Sequence, residues 1–173
     1  HAADTDILTE TPTGSERILL VDDEEGIVRT GTQILQRLGY RVTGCTSSVE
    51  ALTRFQQRPD AFDLVITDLT MPHLTGAQLA AEIIAQRPQI PIILCTGFSE
   101  QMTADQAAAL GIGAYLTKPV VRDQMARAVR QALDRAGGRS AVVPQPAGTT
   151  SPGSGPPSQG EVTSRADTPP SVR

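Results

Sequence analysis

Four short stretches of the chain carry side chains suited to moving a charged group. Asp22 and Asp23 open the acidic run DDEE that follows RILLV, and Asp68 follows LVIT. Thr96 ends IILCT, and Lys118 stands before Pro119 at the end of AYLTKP. Three carboxylates drawn close together repel one another, and each tends to keep its proton unless a cation compensates. A hard divalent ion with oxygen ligands, Mg2+ or Mn2+, is the simplest compensation, and it usually retains waters beside one or two direct carboxylates. A nucleophilic carboxylate beside such an ion suits phosphoryl transfer, where catalysis is mostly positioning and charge neutralisation.

Lys118 is the only lysine in the chain, and every other long basic side chain is arginine. A compact ammonium on a flexible stem fits one phosphate oxygen or carboxylate in a tight site, where a planar guanidinium fits poorly. Pro119 permits a cis Lys118–Pro119 bond, which would aim the lysine inward.

The elements that must hold these groups are legible as alternating patterns. Short aliphatic or β-branched runs fall at 17–21 (RILLV), 41–45 (RVTGC), 64–67 (LVIT), 92–96 (IILCT) and 114–117 (AYLT). Nearly continuous apolar runs of this kind mark parallel strands covered on both faces. Between them Ile27, Ile34, Leu35 and Leu38 recur at helical spacing, as do Leu79, Ile83 and Ile84, and Met125, Val129 and Leu133. Gly39 is placed to end the first helix. Ser47 and Ser48 precede the second, with Glu50 in its first turn, and Ser99 with Glu100 reads as the start of the fourth. Pro88 and Pro91 part the third helix from the fourth strand. Five strands alternating with five helices, joined by right-handed crossovers, give an α/β doubly wound parallel sheet. Such sheets bind ligands at the carboxyl ends of their strands, which is where all four chemical groups lie.

The stretches ILLVDDEE, LVITDLTMPHLTG, PIILCTG and AYLTKP together resemble the signature stretches of the response-regulator receiver family, in that family's order and spacing. The resemblance runs from Arg17 to about Arg135. It implies a flavodoxin-like (βα)5 fold with strand order 2-1-3-4-5 and a phosphoacceptor, Asp68. Mg2+ (or Mn2+) would be held by Asp23 and Asp68 directly, by Asp22 largely through water, and by the backbone carbonyl of Thr70. Thr96 and Lys118 would contact the phosphoryl oxygens, and Tyr115 would change rotamer as Thr96 moves. The implied partners are a histidine kinase or histidine phosphotransfer domain upstream, and a downstream protein on the face of helix four, strand five and helix five.

Composition bounds the rest. The formal net charge is −4 and no basic block appears, so the electrostatic footprint of a nucleic-acid binder is missing. No apolar run reaches the length of a membrane span and no signal peptide is visible, so a cytoplasmic location is expected, with no membrane contact by this segment. Residues 1–15 read as a flexible polar lead-in, 16–136 as the folded domain, and 137–173 as a disordered tail rich in Pro, Gly and Ser. Cys45 and Cys95 fall within strands, without metal-type spacing, and read as buried reduced thiols. A first residue of His, and a domain with no output module after it, fit the C-terminal receiver of a hybrid histidine kinase, a free-standing receiver being the other context.

Plainer readings attach to several residues. Glu24 and Glu25 suit the start of a helix. His73 reads as an exposed loop residue, Gly111 and Gly113 as a turn, and Pro72 and Gly76 as shaping the loop after the third strand. Phe98 and Thr70 flank the position where the family tunes phosphoryl lifetime. Tyr115 is either packing or switch. The rival enzyme is a small aspartyl-phosphate phosphatase, which would place a second Asp two residues after its nucleophile, where this chain has Thr70. The other rival is a degenerate interaction module that accepts no phosphoryl group.

Overall fold

The computed structural model describes residues 10–97 and 103–140. Five parallel strands, β1 (Arg17–Val21), β2 (Arg41–Cys45), β3 (Leu64–Asp68), β4 (Ile92–Thr96) and β5 (Ala114–Thr117), form one sheet in the order β2-β1-β3-β4-β5. They alternate with α1 (Glu25–Arg37), α2 (Ser48–Gln57), α3 (Gly76–Gln86), α4 (Ala104–Ala109) and α5 (Arg122–Ser140), and a 3-10 turn spans Pro59–Ala61. The expected flavodoxin-like doubly wound (βα)5 fold and its strand order are both present.

Alternation along each strand divides the core in two. Leu19, Val21, Val65, Ile92 and Leu94 point to one face and pack with Phe55, Leu79 and Ile83 from α2 and α3. Ile18, Leu20, Leu64, Ile66 and Ile93 point to the other, against Leu35 of α1 and Met125, Ala126 and Val129 of α5. Every residue of β3 and β4 is buried. The two edge strands, β2 and β5, are instead mostly partly buried or exposed.

The helix ends show why the chain turns where it does. Gly39, at φ 98, ends α1 in a paired closure: Tyr40 N–H bonds Leu35 O and Gly39 N–H bonds Gln36 O. A Cβ there would also collide with the carbonyl of Gly14. Ser47 caps α2 by accepting from Glu50 N–H. Thr75 with Gln78, and Thr103 with Gln106, form reciprocal capping boxes that start α3 and α4. Ser99 and Glu100 lie outside the described residues, and the cap of the described α4 is Thr103.

Two expected boundaries differ. The lead-in is docked, not loose, over its described part. Gly14 N–H bonds Leu38 O, Arg130 donates to Thr13 O, and the Thr11 hydroxyl lies 3.4 Å from an Asp123 oxygen. At the other end α5 continues past Ala136, through Gly137, to Ser140.

Candidate functional site: an acidic cluster with one lysine

Strand β1 ends at Val21, and Asp22 follows beside the carboxyl end of β3, whose last residue is Asp68. This is where the strand order reverses: the chain leaves β1 for β2 on one side and later returns to β3 on the other. Asp22 and Asp68 are 2% and 6% exposed, whereas Asp23 faces solvent. One carboxylate oxygen from each of the three lies within 4.8 Å of the other two.

Each buried acid is aimed by a local bond. Asp22 Oδ1 accepts from Glu24 N–H at 2.9 Å, and Asp68 Oδ1 accepts from Leu69 N–H at 3.0 Å. Lys118 follows β5 directly and reaches across β4 with its ammonium. Its Nζ lies 2.8 Å from Asp22 Oδ2 and 3.1 Å from Asp68 Oδ1. The backbone adds a tie, since Lys118 N–H donates to Thr96 O at 2.7 Å, and the Lys118–Pro119 bond is cis. Burial alone would pull the lysine down. The hydrogen bonds and charges of Asp22 and Asp68 outweigh that, so its pKa stands above the ordinary value and it stays an ammonium.

Three carboxylates against one ammonium leave an excess of negative charge in a partly buried site. The donor set is all hard oxygen, and Asp23 keeps one side open to water, an arrangement that fits a divalent cation such as Mg2+. Thr96, 5% exposed, ends β4 beside Thr117, and its hydroxyl sits 3.5 Å from Leu116 O. Thr70 lies exposed in the loop from β3 to α3. Tyr115 stands apart from the cluster: it pairs in register with Leu94, and its side chain is 45% exposed. Phe98 lies outside the described residues.

The thiols are inert by environment. Burial pushes Cys95, the register partner of Asp68, up to about 12 despite the nearby Lys118 ammonium, and burial raises Cys45 as well. Gly76 shapes the loop after β3 as its place in the sequence implied, whereas Ser48 escaped that reading. Gly76 N–H bonds Leu69 O, and a Cβ at Gly76 would collide with the carbonyl of Asp68, so the loop folds back hard against the strand end. Ser48, read only as a helix-start residue, sends its hydroxyl into the same loop. Residue type does not mark the Ser48 role, because its partners Pro72 and Leu74 stand 24 and 26 residues away.

Comparison with known proteins agrees with this geometry. Residues 18–130 match the response regulator receiver domain, and the chain belongs to that family. Among curated proteins it is 33% identical over 122 residues to the sensor kinase CckA of Brucella abortus, covering 70% of this chain and 13% of that protein. It is 36% identical over 118 residues to the transcriptional regulatory protein GlrR of Escherichia coli, covering 68% of this chain and 26% of that one. The chain thus spans a minor part of these relatives. Among solved structures, a response regulator receiver domain protein of Clostridium thermocellum superposes with a TM-score of 0.68 at 32% identity, covering 72% of this chain and 98% of that one. The protein is a receiver domain of the two-component signalling type.

Proposed function

We propose that the chain accepts a phosphoryl group on Asp68 from a phosphohistidine, and that this changes the face formed by α4, β5 and α5. The observation that carries the proposal is one buried carboxylate, Asp68, held between an ammonium and two further acids at the carboxyl edge of the sheet. Asp22, Asp23 and Asp68, with the Thr70 carbonyl, would hold Mg2+, which when bound neutralises charge on the transferring group. The carboxylate oxygen of Asp68 forms the new O–P bond as the donor's N–P bond breaks, and the freed imidazole nitrogen takes up a proton. Lys118 turns from Asp68 to the incoming phosphoryl oxygens, and Thr96 supplies a hydroxyl to another.

An aspartyl phosphate carries about 1.5 to 2 negative charges and three acceptor oxygens, by analogy with hydroxyl phosphorylation. Thr96 and Lys118 gain a partner they lack beforehand, and the strand ends that bear them adjoin β5. Tyr115, exposed on β5, is the aromatic group placed to report that shift to a protein bound there. No turnover of an external substrate is required. The phosphatase alternative needs an acid at position 70, which is threonine.

Residues 16–136 form the receiver in this proposal, with α5 running on to Ser140. The donor is a histidine kinase or histidine phosphotransfer domain, and a cytoplasmic location follows from that partnership. The parent protein in this proposal is a hybrid kinase with the chain as its C-terminal receiver, and the similarity to a sensor kinase supports the kinase context. Among the described residues no helix is long and apolar enough to cross a membrane.

The test is intact mass after incubation with acetyl phosphate, with and without Mg2+, beside Asp68→Asn. One phosphoryl adduct is expected, dependent on metal and on Asp68, and labile to alkali. No adduct from folded protein, together with no binding of beryllofluoride, would replace this proposal with that of an unphosphorylated binding module.

A further inference from the structure

We propose that Ser48 is a positioning residue for the metal-binding side of the site, acting through the loop between β3 and α3. The inference rests on the receiver function proposed above. Ser48 is the first residue of α2, but the helix cap is its neighbour, Ser47, which accepts from Glu50 N–H. The hydroxyl of Ser48 is therefore free for another task. With its residue 2% exposed, it donates to Pro72 O at 3.0 Å and accepts from Leu74 N–H at 3.2 Å. Both donor and acceptor capacity are used, and both partners belong to the loop that leaves Asp68.

That loop is pinned at its ends. Leu69 N–H bonds Asp68 Oδ1 and Cys95 O at the entry, and Gly76 N–H bonds Leu69 O at the exit. Ser48 pins the middle. Between its two partners His73 adopts φ 69, a positive value uncommon for residues with a side chain, and Leu74 N–H closes a three-residue turn onto Pro72 O. Strained turns of this kind persist where the surroundings over-determine them. Here the surroundings include the buried Ser48 hydroxyl, beside the side chain of Met71 in the core.

Thr70, whose carbonyl is the fourth metal oxygen in the proposed site, lies between the pinned entry and the pinned middle. Removing the Ser48 hydroxyl takes from Pro72 O one of its two donors and from Leu74 N–H one of its two acceptors, and the loosened turn moves Thr70 relative to Asp68. Groups that orient a metal's ligands typically change affinity by about 10-fold or more when removed. A serine that merely satisfies the start of a helix would affect stability alone.

The experiment measures Mn2+ affinity by electron paramagnetic resonance on the full chain, with thermal melting in parallel. It compares wild type, Ser48→Ala, Ser48→Thr and Ser47→Ala. Ser48→Ala is expected to weaken Mn2+ binding about 10-fold. Ser48→Thr, which keeps the hydroxyl, should restore it, and Ser47→Ala should lower the melting temperature while binding Mn2+ as wild type does. Wild-type affinity in Ser48→Ala, or an equal loss in Ser47→Ala, overturns the positioning role. Wild-type protein that binds no Mn2+ overturns the metal site itself, a distinct result that removes the ground for both proposals.

Discussion

At the carboxyl ends of the strands the Lys118 ammonium lies 2.8 and 3.1 Å from Asp22 and Asp68. At the opposite end Arg130 of α5 lies 2.9 and 2.8 Å from Glu16 and Asp134. Each cluster joins two carboxylates to one cation at nearly equal distances, so geometry alone does not separate them. Burial of the acids does: the side chains of Asp22 and Asp68 are 3% and 8% exposed, those of Glu16 and Asp134 30% and 63%. Acids that reach water need no further cation, and a guanidinium fork with five donors can hold both at once. Acids shut away from water remain under-compensated, more so with Asp23 beside them, which suits the additional cation proposed above. The Arg130 cluster is a brace tying α5 to the segment before β1. The Lys118 cluster is a place where charge can arrive.

The sharpest way to break the contrast is to remove each cation or its support in turn. Lys118→Ala leaves two buried carboxylates facing each other. It should cost on the order of 3 kcal/mol in metal-free urea unfolding, and Mg2+ should restore more stability to the variant than it adds to wild type. An equal response to Mg2+ in both proteins would show that the acids are not under-compensated. Gly76→Ala tests the scaffold instead of the charge. Its new methyl meets the Asp68 carbonyl, so the loop and strand end must separate, at a cost of roughly 2 kcal/mol. Phosphorylation by acetyl phosphate should slow in the same variant, because the displaced backbone carries the acceptor. A folded variant that phosphorylates at the wild-type rate would mean the loop is free to move.

The same contrast explains what the sequence reveals. Strands β1, β2, β4 and β5 have the bounds their apolar runs predict, and β3 exceeds its own by one residue, Asp68 itself. Runs such as IILCT are covered on both faces, and local composition suffices to mark them. The acids and Lys118 were legible because each stands at the end of such a run, and topology then brings the ends together. The Arg130 brace was not. Arg130 stands 117 and 114 residues from Thr13 and Glu16, all three are ordinary in type, and they are joined only by the way α5 lies across the start of β1. Ser48 is hidden for the same reason. Thr75 and Thr103 are a different case, since the pattern Thr-x-x-Gln stood in the sequence at both positions as a usable cap signal. The paired glycines 137 and 138 suggested an end to α5, yet the helix passes through them, because a helix already nucleated over several turns tolerates residues of poor propensity near its end.

The smallest effect is expected at the brace, and its pH dependence distinguishes it from the site. The hydrogen bond from Arg130 holds the Glu16 carboxyl below its ordinary pKa, against a smaller opposing effect of burial. A carboxylate whose pKa is depressed on folding contributes stability that is present above its unfolded value, here about 4.5, and lost as pH falls through the folded value. Arg130→Gln should therefore cost about 1 kcal/mol at pH 7, the range for partly exposed pairs. Below pH 4.5 the difference from wild type should shrink, because acid removes from wild type the same ion pair that the substitution removes. Urea unfolding at pH 7 and in steps toward pH 3 measures the convergence. Phosphorylation of Arg130→Gln at pH 7 should proceed at the wild-type rate, since the cluster lies at the far end of the sheet from Asp68. A gap that stays constant with pH would assign the role of Arg130 to packing of its stem. A slowed phosphorylation would show that the brace and the site are coupled through α5.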